Sequence, residues 1–164
     1  MASKPKLKKL IKLAEKGHAD SQNKLGAMYA KGTGLDQDYA MAVMWWRKAA
    51  EKRHVDSQYK LGYMYENGHG VAQDYSAAVM WYSMAADQGD DEAQYKIGTM
   101  YQLGMGVDQS DEIATQLYHK AAEQGYAIAQ CNLALMYENG NGVALNYSAA
   151  VKWWCKAAEQ GTAL

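Results

Sequence analysis

The chain repeats itself every 36 residues without slippage. Four equivalent glutamines mark the repeat: Gln22, Gln58, Gln94 and Gln130. Leucine or isoleucine, then methionine, then tyrosine follow each glutamine at the same spacing, so the repetition is positional and not a bias of composition. A fixed period of this size predicts a solenoid, in which each unit is one supersecondary motif that buries its apolar face against its neighbours.

Each unit is predicted to be two helices joined by a turn, because apolar residues recur at three- and four-residue spacing on either side of a glycine pair. In the second unit this spacing predicts a first helix from Asp56 to Asn67 and a turn over residues 68–71. Glycine just after a helix readily adopts the left-handed backbone that ends it. The second helices are predicted to begin at N-cap residues, which are Asp38, Asp74, Ser110 and Asn146.

The second unit shows the whole pattern of the repeat most plainly. Its members are Gln58, Leu61, Gly62, Tyr65, Gly68, Gly70, Val71, Ala78, Trp81, Tyr82, Ala85 and Ala86. This pattern resembles the Sel-one-like repeat, which is related to the tetratricopeptide repeat. The resemblance covers residues 19–162 and implies an all-α fold, a right-handed α/α superhelical solenoid of helix-turn-helix repeats. It also implies a scaffold or adaptor for protein interaction rather than an enzyme.

The expected organisation is one continuous solenoid domain. It comprises an N-terminal capping helix over residues 1–18 and repeats over residues 19–54, 55–90, 91–126 and 127–164. The capping helix is indicated by an amphipathic stripe of Leu7, Leu10, Ile11 and Ala14. The last unit ends without a distinctive polar capping helix, which favours a fragment of a longer array, an engineered array, or self-association through the C-terminal end.

No membrane span is expected, because no stretch approaches the roughly 20 consecutive apolar residues of a spanning helix. No signal peptide is expected either, because the first residues are lysine-rich and the apolar stripe behind them is amphipathic rather than continuous. The chain as given is therefore expected to be cytoplasmic, and to be periplasmic or secreted if a signal peptide was removed. Cys131 and Cys155 are expected to be unpaired and partly exposed, because the equivalent positions in other units hold variable, mostly polar residues.

Charge is distributed unevenly along the chain. Residues 1–16 hold six lysines against Glu15, a balance of +5, which leaves −6 for the rest of a chain whose net charge is −1. A basic amphipathic helix can contact nucleic acid or a membrane surface, but a solvated face is favoured here because no nucleic-acid motif accompanies the lysines. No nucleic-acid partner is expected.

Metal and cofactor sites are not expected either. His18 and His54 are equivalent residues one repeat apart, and stacked helices separate such side chains by roughly 10 Å, too far for one ion. Ser57 and Lys60 match the Ser-x-x-Lys motif of penicillin-recognising enzymes, but the companion motifs Ser-Asp-Asn and Lys-Thr-Gly are absent. A β-lactamase-like or penicillin-binding enzyme is therefore only the alternative function, and an array without a ligand is a third.

The resemblance implies that the first helix of each unit lines a concave face that binds a peptide or protein segment. The candidate contact residues are Asn23, Tyr59, Tyr63, Glu66, Tyr95, Thr99, Gln102, Leu135 and Glu138. Tyr59, Tyr63 and Tyr95 lie outside the repeating core pattern, so they serve either as interface anchors or as padding between neighbouring first helices. The carboxylates favour a partner segment that carries basic residues.

Overall fold

The structure, a computed structural model, describes residues 4–161, and all regular secondary structure in this range is α-helical. The helices are α1 Lys4–Glu15, α2 Ala19–Lys31, α3 Tyr39–Ala50, α4 Val55–Asn67, α5 Tyr75–Ala86, α6 Asp91–Leu103, α7 Asp111–Glu123, α8 Ala127–Asn139 and α9 Tyr147–Glu159. The chain divides into two compact units, Met1–Ala85 and Ala86–Leu164. Within residues 4–161 no helix is long and apolar enough to span a bilayer.

The helices confirm the predicted class, an array of α/α helical repeats. The first helices of the four repeats are α2, α4, α6 and α8, and the second helices are α3, α5, α7 and α9. The predicted first helix of the second repeat begins one residue earlier than expected, at Val55, and ends at Asn67 as predicted. Helix α1 lies within the expected capping segment, of which residues 1–3 fall outside the described range.

The predicted N-caps of the second helices are confirmed. In each, the side-chain oxygen accepts a hydrogen bond from the backbone N–H three residues later, which satisfies a donor that the helix itself leaves unpaired. The acceptors are Asp38 at 2.9 Å, Asp74 at 2.9 Å, Ser110 at 3.3 Å and Asn146 at 3.0 Å. Aspartate, serine and asparagine thus all serve as N-caps of the second helices.

The turn between the two helices of a repeat is also as predicted. Gly68 adopts the left-handed conformation with φ of 69°, and its N–H donates to the carbonyl of Met64. The equivalent turns have the same geometry, with φ of 65°, 67° and 70° at Gly32, Gly104 and Gly140. Val71, which follows the turn, packs against the core of the first compact unit.

Each compact unit has its own apolar core between first and second helices. In the first unit, Leu61 and Met64 of α4 pack with Trp46 of α3 and Trp81 of α5. A second cluster joins Ala14 of α1 to Leu25 of α2 and Trp45 of α3. In the second unit the core residues are Ala114, Tyr118, Ala121, Ala122, Ala129, Leu133 and Met136.

In the first three repeats, the two helices approach closely through a glycine that faces an aromatic ring, and the fourth repeat has Ala134 at this position. A Cβ atom added at Gly62 would lie 2.5 to 2.8 Å from ring atoms of Tyr82. Gly26 meets Trp46, and Gly98 meets Tyr118, in the same way. The aromatic side chain therefore occupies the volume that any other residue at the glycine position would need, which explains this part of the repeat pattern.

A buried glutamine ties each first helix to the second helix before it. Its Nε2 donates to the carbonyl of an alanine eight residues earlier, at the end of the preceding helix. The pairs are Gln22 to Ala14 at 3.0 Å, Gln58 to Ala50 at 3.1 Å, Gln94 to Ala86 at 3.4 Å and Gln130 to Ala122 at 3.1 Å. We call this contact the glutamine seam.

In the second compact unit, the side-chain oxygen of the seam glutamine also accepts a hydrogen bond. Gln124 donates to Oε1 of Gln94, and Gln160 donates to Oε1 of Gln130, both at 2.9 Å. In the first repeat the position equivalent to Gln124 holds Lys52, which instead donates to the carbonyl of Gly17. Oε1 of Gln22 is buried and has no hydrogen-bond partner among the described residues.

Candidate functional site

A cleft of about 280 Å³ lies within the first compact unit, between α2, α3, α4 and the turn after α4. We call it the aromatic cleft. Its lining residues are Ala30, Tyr39, Trp46, Tyr59, Lys60, Tyr63, Met64 and His69. Five of the eight carry aromatic rings, so most of the wall is flat, stiff and apolar with polar edges.

The ring of His69 is held between two tyrosines. It stacks on Tyr39 with centroids 5.3 Å apart and an interplanar angle of 17°, and its centroid lies 6.0 Å from that of Tyr63. The turn that carries His69 is pressed against the start of α3, since a Cβ atom at Gly70 would lie 2.4 Å from the carbonyl carbon of Tyr39. Backbone packing therefore fixes this edge of the cleft.

The opposite wall is supported from within the repeat. The ring of Tyr59 packs against Tyr82 at a centroid distance of 5.4 Å, and the Tyr82 hydroxyl donates to Oε2 of Glu66 at 2.6 Å. Tyr63 projects further, with 41% of its surface exposed. Of the residues that the sequence assigned to this face, Glu66 thus has an internal hydrogen-bond donor, while Tyr63 is open to a partner.

A polar network joins the first helices α2 and α4 beside the cleft. Nδ2 of Asn23 donates to Asp56 at 2.7 Å, and the hydroxyl of Ser57 donates to Oδ1 of Asn23 at 3.1 Å. Asp56 also pairs with Lys60, one turn later on α4. Burial raises the pKa of Asp56, but the hydrogen bonds from Lys60 and Asn23 outweigh it, so the pKa is lower than usual.

Ser57, His54 and Asp20 form an arrangement that superficially suggests nucleophilic catalysis. The hydroxyl of Ser57 lies 3.2 Å from Nδ1 of His54, and Nε2 of His54 lies 3.4 Å from Asp20. However, Ser57 has no exposed surface, and Nδ1 of His54 accepts the backbone N–H of Ser57 as the N-cap of α4. The geometry thus describes a helix cap and gives no support to the Ser-x-x-Lys interpretation.

In the second compact unit, three predicted contact residues make internal contacts. Tyr95 packs against Tyr118 and Tyr126, with centroids 5.6 and 5.3 Å apart. The Tyr118 hydroxyl donates to Oε1 of Gln102 at 2.8 Å and lies 3.2 Å from Oγ1 of Thr99. Burial is the main reason why the pKa of Tyr118 is raised. This surface is built largely from side chains that support one another.

Tyr126 lies close to several acidic side chains of the second unit. Burial, followed by the nearby side chains of Glu92, Tyr95, Asp91 and Asp90, raises its pKa to about 12. The neutral phenol is thereby favoured in the folded chain.

Helix α8 presents a separate exposed stripe. Leu135 is 43% exposed and Ile128 is 46% exposed, and Glu138, one turn after Leu135, is exposed as well. The predicted contact residues therefore fall into two groups. Tyr63, Leu135 and Glu138 are open to solvent. The others make the internal contacts described above: Asn23, Tyr59, Glu66, Tyr95, Thr99 and Gln102.

Comparison with known families decides the classification. The family model described as Sel1 repeat matches the chain four times, over residues 19–54, 55–90, 91–126 and 127–162. The chain belongs to the Sel1 repeat family. This confirms the resemblance to Sel-one-like repeats, and repeats of this type are generally scaffolds for protein interaction.

Solved structures agree with this assignment. A Sel1 repeat protein from Oxalobacter formigenes is 38% identical, with a TM-score of 0.89 over 92% of this chain and 62% of that chain. The protective antigen c5321 of uropathogenic Escherichia coli, which displays an SLR fold, is 33% identical, with a TM-score of 0.52 over 93% and 40% of the two chains. An immunity protein from Pseudomonas aeruginosa, PA5088, is 26% identical, with a TM-score of 0.58 over 93% and 55%.

The chain therefore spans less than two thirds of each of these three structures. Comparison with curated proteins gives no match.

Sequence reasoning found Tyr59 and Tyr63 but missed three other rings of the cleft, Tyr39, Trp46 and His69. Tyr39 and Trp46 belong to the regular Sel1 pattern and so gave no sign of a special role. The available signal was His69, whose equivalents in the other Sel1 repeats are Thr33, Met105 and Asn141. His69 is an aromatic residue at a variable turn position, and it belongs to the same repeat as Tyr59 and Tyr63, which also depart from the pattern. Together these three residues indicate where the rings converge.

The expectation for the cysteines is confirmed. Both are free; Cys131 is half-buried and Cys155 is exposed. Burial raises the pKa of the Cys131 thiol. Among the side chains of the described range, no group of three or more His, Cys, Asp or Glu is placed to hold a metal ion.

Proposed function

We propose that this chain is a non-enzymatic adaptor that binds a segment of another protein through its first-helix surfaces, with the aromatic cleft as the main anchor point. The observation that carries the proposal is the convergence of five aromatic rings around one solvent-open cleft of about 280 Å³. Aromatic side chains supply large contact area with little conformational entropy to lose, and they dominate the energetics of protein interfaces.

A second contact region is proposed on α8. Leu135 and Glu138 offer an exposed apolar and an exposed acidic side chain on one helix. Residues 86–164 contain four lysines and ten acidic residues, a balance of −6. A partner segment with basic residues would be attracted to this unit, and the attraction would weaken as salt is added.

If the chain is an array without a ligand, the same aromatic rings have only a structural role. In that case Tyr59 and Tyr63 only fill space between neighbouring helices, and truncating Tyr63 changes no binding. The exposure of Tyr63 favours a contact role, because a side chain that only fills space is expected to be covered.

The test is selection of binding peptides from a displayed random library on the folded chain. Selected peptides are then measured against Tyr63→Ala and against a matched control, Tyr147→Ala, which removes a tyrosine that is 63% exposed but lies on α9, outside the cleft. We expect Tyr63→Ala to weaken binding by about tenfold, the effect of losing one interface anchor worth over 1 kcal/mol. The control should bind as the unaltered chain does.

Helicity measured by circular dichroism must be the same for all three proteins. If the library yields no binders, or if both alanine variants bind equally well, the cleft is not the anchor point and the array without a ligand is the better description.

A further inference from the structure

We infer that the aromatic cleft accepts a bulky apolar side chain from a partner segment that carries a carboxylate beside that side chain. The inference rests on the proposed function and specifies the chemistry of the partner. It differs from the sequence-based expectation of a basic segment, which depended on Glu66 at this end of the chain.

The size and lining of the cleft suit one large apolar side chain. Its volume is about 280 Å³, and its walls are the rings of Tyr39, Trp46, Tyr59, Tyr63 and His69 together with Ala30 and Met64. Moving a side chain such as leucine or phenylalanine from water into such a site is favourable, because its apolar surface is removed from water. That gain is enough for an anchor and too little for a complete binding site, so neighbouring groups of the partner must contribute.

The charge on the lining opposes a cationic guest. Besides the tyrosines, the ionisable lining residues are Lys60 and His69, and none of the eight lining residues is acidic. Aromatic rings attract cations, but an ammonium group entering this cleft would also meet the ammonium group of Lys60. Glu66 is not part of the lining and accepts the hydroxyl of Tyr82, and Asp56, which pairs with Lys60, also lies outside the lining.

Lys60 is held in a position where it can receive a carboxylate. Asp56 pairs with it across one helical turn, and Asn23 fixes Asp56 through a hydrogen bond of 2.7 Å. An ammonium group carries three N–H donors, so pairing with Asp56 leaves donors for a second carboxylate. The side chain of Lys60 is 31% exposed, which places those donors at the rim rather than in the core. An apolar anchor with an adjacent acidic residue would satisfy both features of the site.

The experiment is an NMR titration of the unaltered chain with four capped tripeptides. They are acetyl-Glu-Phe-Glu-amide, acetyl-Gln-Phe-Gln-amide, acetyl-Lys-Phe-Lys-amide and acetyl-Glu-Ala-Glu-amide. We expect the acidic phenylalanine peptide to shift the resonances of Lys60, Tyr63 and His69 and to bind roughly threefold more tightly than the neutral one at low salt, the strength of one exposed ion pair. The basic peptide should bind more weakly than the neutral one, and the alanine peptide should not bind measurably.

Two variants test whether Lys60 causes the preference for the acidic peptide. Lys60→Gln should abolish the preference for the acidic peptide while the neutral peptide binds as before. Lys24→Gln is the matched control, because Lys24 is the equivalent lysine of α2, is exposed, and does not line the cleft. It should leave the preference unchanged.

The outcomes distinguish the inference from the proposed function. If the phenylalanine peptides shift the cleft resonances but the basic peptide binds best, or if Lys60→Gln keeps the preference, the inference is wrong and the cleft remains an anchor site. If no phenylalanine peptide shifts those resonances, the inference and the role of the cleft in the proposed function are both wrong.

Discussion

At the scale of single residues, Arg53 has a backbone conformation that glycine has at the equivalent positions. Its φ is 63°, the only positive value at a non-glycine residue in the described range, whereas Gly89, Gly125 and Gly161 have φ of 91°, 98° and 74°. A side chain with a Cβ atom is disfavoured in this region. Arg53 is exposed, so no compensating burial of its side chain offsets this strain.

We therefore predict that Arg53→Gly stabilises the chain by about 1 kcal/mol, the relief of backbone strain less the extra chain entropy of glycine. The free energy of unfolding from urea denaturation measures the effect. Gly125→Ala is the opposite test, because a Cβ atom there meets nothing within 4 Å and so reports the backbone alone. It should destabilise the chain by about 1 kcal/mol. If both substitutions leave the free energy unchanged, the left-handed conformation imposes no strain.

At the scale of helices, the contact that repeats most faithfully is the glutamine seam. The sequence marked its glutamines as equivalent positions but gave them no role, because their partners are backbone carbonyls, which carry no residue signature. The helices, the turns and the caps were predictable, since each depends on local chemistry and on periodicity. The seam was not, since it depends on how one helix pair lies against the previous one.

The first repeat lacks the donor that completes the seam. Lys52 occupies the position of Gln124 and Gln160 in later repeats, and Oε1 of Gln22 is buried with no hydrogen-bond partner within residues 4–161. We predict that Lys52→Gln stabilises the chain by about 1 kcal/mol, because a hydrogen bond to a buried acceptor outweighs the exposed one that Lys52 donates to the carbonyl of Gly17.

The matched control for this substitution is Lys16→Gln, which removes the same charge from an exposed residue of the equivalent position in the preceding segment. Thermal and urea unfolding should separate the two variants. Equal stability of both would show that the orphaned oxygen costs nothing.

At the scale of the whole chain, the distribution of charge can be predicted fully from the sequence, but the candidate site cannot. The imbalance of charge could be counted directly, with +5 in residues 1–16 and −6 in the remainder. The site could be predicted only in part. Tyr59 and Tyr63 stood out as departures from the pattern, but Glu66, Thr99 and Gln102 were assigned to the same face on spacing alone. Spacing gives the face of a helix and cannot reveal which polar side chains already have partners within the fold.

The acidic surroundings of Tyr126 lead to a prediction about alkaline pH. Its pKa in the folded chain is about 12, raised by burial and then by Glu92, Tyr95, Asp91 and Asp90 from an ordinary value of 10.0. Because the pKa of Tyr126 is higher in the folded chain than its ordinary value, the neutral phenol stabilises the folded chain fully below pH 10. This stabilisation is lost as pH rises toward 12.

Ultraviolet titration of tyrosinate, with helicity followed in parallel, measures this effect. The difference between the curves of the unaltered chain and Tyr126→Phe should contain one ionisation near pH 12. Tyr147→Phe, which removes one exposed phenol from α9, is the matched control variant. A Tyr126 difference curve centred at the ordinary value of 10.0 would contradict the environment described here.

The aromatic cleft combines rings of the regular repeat pattern with residues at positions that the repeat leaves free to vary. His69 and Tyr63 occupy places held by Thr33 and Ala27 in the first repeat and by Asn141 and Leu135 in the fourth, while the glycines, caps and seam glutamines around them keep their places or their chemistry. The residues that we propose to contact a partner are thus specified separately from those that specify the helices. A chain built this way can acquire, lose or relocate a binding pocket by changing a few side chains, while every helix of the array stays where it is.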